Sequence, residues 1–68
     1  MEKDWMMVYS TENNVMFSKI KDLLDVEEIK YVCMQKKDSL YAIGEMEIYV
    51  HYTEAEKAIN SIYNAENE

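Results

Sequence analysis

The clearest pattern in the chain is the strict alternation of Gly44–His51, GEMEIYVH. Met46, Ile48 and Val50 share one side, and Glu45, Glu47, Tyr49 and His51 share the other. Period-two alternation of this length predicts a strand with one buried face. Two further runs read as strands. Trp5–Tyr9, WMMVY, is apolar throughout and bounded by Asp4 and Ser10. Ile29–Gln35, IKYVCMQ, is rich in β-branched and aromatic residues. Met6 and Val8 are assigned to the buried face of the first run, and Trp5, Met7 and Tyr9 to the opposite face. In the second run Tyr31 and Cys33 are assigned inward, because Lys30, on the other face with Val32 and Met34, prefers water.

Two stretches repeat every three or four residues. From about Glu12 to Glu28, Met16, Phe17, Ile20, Leu23 and Leu24 form an apolar stripe, with Ser10 or Thr11 as the expected N-cap and Val26 packing near the end. From Thr53, a Thr53–Glu56 capping box opens a helix whose apolar face is Ala55, Ala58, Ile59, Ile62 and Tyr63. Residues 64–68 read as a polar, frayed tail. Residues 36–43, KKDSLYAI, form the connection before the alternating strand, with Asp38 and Ser39 as turn formers. Gly44 marks a bulge or the exit from that turn.

The order is β-α-β-β-α. A right-handed crossover from the first strand to the second leaves space for the third between them. The prediction is a single α+β domain over residues 1–68, with an ordered core from about 5 to 63. It is a truncated ferredoxin-like sandwich: a three-stranded antiparallel sheet, order 1-3-2, with both helices on one face. A fourth strand would lie beside the first, so WMMVY presents an open edge. The uncovered sheet face would carry Trp5, Met7, Tyr9 and Tyr49, with Val32 and Met34. Such a patch exceeds what a lone monomer usually exposes. It therefore predicts a protein partner or a second copy, in a homodimer.

Composition narrows the function. At 68 residues the core is barely sufficient on its own. The single cysteine excludes an internal disulfide and fits a reducing cytoplasm. The apolar run near Met1 is too short for a signal peptide or membrane span. A net charge of −7, with 7 basic against 14 acidic residues, argues against nucleic acid and anionic membranes. One glycine leaves no phosphate-cradling loop.

Candidate chemistry is thin. Cys33 and His51 suggest a nucleophile and base. The expected register separates them by about 14 Å along the sheet and puts them on opposite sides, so Cys33 reads as a small buried hydrophobe. Glu45, Glu47 and His51 share a strand face but lack a metal-ligand spacing, and a solvated face accounts for them. No enzyme, catalytic residue, cofactor or metal is therefore expected. The segment Lys36, Lys37, Asp38, Ser39 and Tyr41 is the remaining candidate, as an interaction loop able to donate, accept and stack. An alternative is a small-ligand sensor holding an anion or nucleotide near Lys36 and Lys37.

Taken together, MMVYSTENN, FSKIKDLLDVEEI, QKKDSLY, GEMEIYV and EAEKAINSI resemble a bacterial family of unknown function described as prokaryotic signal-transducing proteins. The KKDS–Y segment followed by GE-E-YV carries most of the likeness. The resemblance implies a ferredoxin-like fold similar to the nitrogen-regulatory signalling proteins, with residues 36–43 in the position of their partner-contacting loop. The family usually has glycine where Glu28 stands and often proline where His51 stands. The first difference bears on a left-handed exit from the first helix. The second supplies a backbone N–H that could join the sheet.

Overall fold

A computed structural model describes residues 3–38 and 43–67. The order is β1 (Trp5–Thr11), α1 (Asn14–Val26), β2 (Tyr31–Asp38), β3 (Ile43–His51) and α2 (Tyr52–Glu66). The three strands form one sheet in the order β1-β3-β2, with both pairings antiparallel. This is the predicted α+β arrangement, a ferredoxin-like sandwich with three strands among the described residues.

The core forms where β3 meets the helices. Ile48 and Val50 are fully buried against Ile20 and Leu24 of α1 and Ala55, Ala58 and Ile62 of α2. These groups make one cluster, so both helices lie on the same side of the sheet. The alanines of α2 are small enough for close approach to the strands. Each large aliphatic buried here contributes about 1.5–3 kcal/mol.

β1 runs two residues further than Tyr9, because Ser10 and Thr11 stay in the ladder opposite Glu47 and Met46. Neither is the N-cap of α1. Asn13 takes that role, its Oδ1 accepting from the Val15 and Met16 amides at 2.8 and 3.1 Å. Thr11 Oγ1 accepts from the Asn13 amide and shapes the turn before it. Val26 does not pack at the helix end; it is exposed.

A bulge between Met7 and Tyr9 corrects one face assignment. The extra residue, Val8, shifts the alternation by one place. Met7 stands opposite Tyr49, but Tyr9 stands opposite Ile48 and packs against the core with Val8. Tyr9 therefore faces the helices. Gly44 marks no bulge; it pairs with Lys37 in an uninterrupted ladder.

α1 ends in a left-handed turn without glycine. Glu28 has φ 60°. The Ile29 amide reaches the Leu24 carbonyl at 2.9 Å and the Glu28 amide the Asp25 carbonyl at 3.1 Å, the two bonds of a Schellman motif. Ile29 is buried beside Leu24 in the core, so it belongs to this cap and β2 starts at Tyr31.

α2 starts directly after β3. His51 ends the strand and caps the helix, its Nδ1 accepting from the Thr53 amide at 3.3 Å. The expected Thr53 cap is thus displaced by two residues. The Tyr52 amide donates to the Asp4 carbonyl at 2.8 Å, fixing the start of α2 beside the start of β1. The helix continues to Glu66, through most of the segment read as a frayed tail. Ile59 and Tyr63, expected on its buried face, are exposed.

Candidate interaction surface

The sheet face opposite the helices is built by register. Cross-strand partners point to the same side. Trp5 therefore stands with His51, Met7 with Tyr49 and Val32, and Ser10 with Glu47 and Met34. Of the four residues assigned to an aromatic interface, Trp5, Met7 and Tyr49 share this face and Tyr9 does not. Val32, Met34 and Met7 are 38%, 40% and 49% exposed. Trp5 and Tyr49 are half-buried.

The polar groups of this face are organised. Glu47, in the central strand, is only 5% exposed although neither α1 nor α2 lies on its face. The Tyr49 hydroxyl donates to Glu47 Oε1 at 3.0 Å. The Ser10 hydroxyl donates to Glu45 Oε1. Among the described residues no buried side-chain polar atom lacks a partner. Trp5 meets the His51 ring edge-on at 5.9 Å, and His51 lies 4.8 Å from Tyr52. The surface is thus a carboxylate–phenol pair framed by methionine, valine and tryptophan.

Glu47 points to the face that the alternation of β3 predicts, but it is buried there and not solvated. Its position in the middle strand, between Ser10 and Met34 and next to Tyr49, was the available signal. A central-strand side chain has neighbours on both flanks, and those neighbours exclude water.

The candidate loop contracts. Lys36, Lys37 and Asp38 belong to β2, opposite Glu45, Gly44 and Ile43. Ser39 and Tyr41 lie outside the described residues. Cys33 sits opposite Ile48, on the helix side, whereas His51 is on the other face. The two are separated as expected, with a register one residue from that predicted. Cys33 is not buried, however; it is exposed. It lies in an edge strand, so no described strand covers its outer flank. Partial burial still raises its thiol pKa, with Lys21 opposing and Asp25 reinforcing the shift. Among the described residues no group of three His, Cys, Asp or Glu side chains is placed to hold a metal ion. No described helix is long and apolar enough to cross a membrane.

Comparison with protein-family models, curated proteins and solved structures gave no significant match.

Proposed function

We propose that the chain is a small non-enzymatic regulatory or protein-interaction module whose working surface is the open face of the sheet. The observation that carries this reading is the exposure of Met7, Val32 and Met34 together on one flat face, around the Tyr49–Glu47 pair. Contiguous apolar surface of this kind marks contact sites. Methionines suit such a site because their side chains adapt to a partner's shape. The resemblance to signal-transducing proteins points the same way, to a role through binding.

The test is site-specific photo-crosslinking in the cell of origin, with a diazirine side chain at position 7 or 34 and a control at Val26, exposed on α1. Positions 7 and 34 should trap the same protein, and Val26 should not. Met7→Lys with Met34→Lys should abolish capture and leave the circular dichroism unchanged. Equal crosslinking from all three positions, or none from 7 and 34, would reject the open face as the working surface.

A further inference from the structure

α2 carries apolar side chains on two sides. At 100° per residue, Ala55, Ala58 and Ile62 form the stripe buried on the sheet. Ser61 and Lys57 lie to one side of it, reaching the end of α1: Ser61 Oγ donates to Glu27 Oε1 at 2.9 Å, and Lys57 Nζ to the Glu27 carbonyl at 3.5 Å. Tyr52, Ile59 and Tyr63 lie to the other side, within an arc of about 40°. Ile59 is 46% exposed and Tyr63 64%, and Tyr52 is exposed too. This flank points away from α1. Because α2 starts beside β1, the flank overhangs the outer edge of β1, which no described strand pairs. Met6, on the helix side of that edge strand opposite Val50, is also exposed. The result is an apolar shelf above an unpaired strand edge.

We infer that this shelf and edge form the contact between two copies of the chain, related by a two-fold axis near Val8 and Ile59. A two-fold contact must be self-complementary, and the lengths match. The seven residues of β1 span about 23 Å, and the fifteen of α2 about 22 Å. They start together, so their midpoints, Val8 and Ile59, coincide along the strand. One axis can relate both elements.

The spacing agrees. Strands paired across the axis lie about 4.8 Å apart. A helix seated over β1 and β3 is then about one strand spacing from the axis. Its copy lies about 10 Å away, at helix-packing distance. Ile59 meets its own copy at the axis. Tyr52 and Tyr63 carry phenol donors toward the carboxylates of Glu66 and Glu56 across it. No lysine lies on this flank. The contact thus satisfies itself despite the acidic charge of each copy.

The protein exposes 5056 Å², against about 4,500 Å² expected for a compact monomer of this mass. The shelf and the open face share this excess, and on the shelf Met6, Tyr52, Ile59 and Tyr63 are each about half exposed. The bulge divides the strand edge into Trp5–Met7 and Tyr9–Thr11, so the helix flank carries most of the contact. The shelf lies on the helix side of the sheet, and the inference goes beyond the open-face reading without depending on it.

Sedimentation equilibrium of the 68-residue chain from about 5 to 500 µM should show a monomer–dimer equilibrium. Ile59→Glu should raise its dissociation constant roughly a hundredfold, as at a central contact residue. The fold should survive, because Ile59 is outside the core. In a Cys33→Ser background, Ile59→Cys should form a disulfide-linked dimer under mild oxidation, since facing residues of helices about 10 Å apart come within disulfide reach. A wild-type chain that stays monomeric throughout would overturn the inference. So would a dimer that Ile59→Glu leaves intact and Met34→Glu breaks, which would assign self-association to the open face.

Discussion

Asp25 acts on two groups at once. The Tyr31 hydroxyl donates to its Oδ2 at 3.4 Å, and Cys33 lies next along the same face of β2. Burial raises the Tyr31 pKa, and the Asp25 charge adds to it. The Cys33 thiol is raised by burial and by Asp25, against the pull of Lys21. Both protons are therefore held more tightly in the folded chain. The unfolded chain releases them first as pH rises, so their contribution is full below the ordinary thiol and phenol values and is lost above them. Asp25→Asn should flatten the alkaline loss of stability. It should also speed the reaction of Cys33 with a thiol reagent near pH 8, and Lys21→Gln should slow it. Unchanged rates in both variants would refute the electrostatic account. The inward direction of Cys33 was legible from Lys30 and Tyr31. Its exposure was not, because alternation gives a side chain's direction and not what covers it.

The end of α1 shows the same limit one level up. The apolar stripe from Met16 to Leu24 marks the helix, and Leu24 and Ile29 supply the apolar contact of its closing motif. The left-handed residue between helix and strand is Glu28, where nothing in the residue type announces positive φ. A side chain there costs roughly 1–2 kcal/mol, part of which glycine would return as unfolded-state entropy. Glu28→Gly should stabilise the protein by about 1 kcal/mol, a rise of roughly 4–8 °C in thermal midpoint. A midpoint that falls would show that the Glu28 side chain contributes more than its backbone conformation costs. The β1 bulge was illegible for a different reason. WMMVY contains no residue that requires one; the extra residue is defined only by the β3 partner positions, which place both Val8 and Tyr9 toward the helices.

The whole molecule is a slab, 35 × 31 × 16 Å, with its helices on one side. A chain this short has a total stability of about 3–10 kcal/mol. Leu24→Ala, in a fully buried position, should cost about 2–5 kcal/mol and lower the urea midpoint by roughly a fifth or more. A smaller loss would mean that the core closes over the gap. Strand order, helix side and the existence of an open apolar face were legible, because β3 alternates strictly and both helical stripes need the same cover. The exposed flank of α2 was not. Ile59 and Tyr63 fit the helical period, and only the three-stranded width of the sheet leaves them nothing to cover.

His51 is the last residue of β3 and the cap of α2, and its ring also touches Trp5 at the rim of the open face. The joint therefore has no slack. A partner that tilts Trp5 or pushes on β3 has no flexible connector in which the displacement can dissipate. Pressure on one surface must register at the base of the rod on the other, and the imidazole is the pivot through which a docking event below would be felt above.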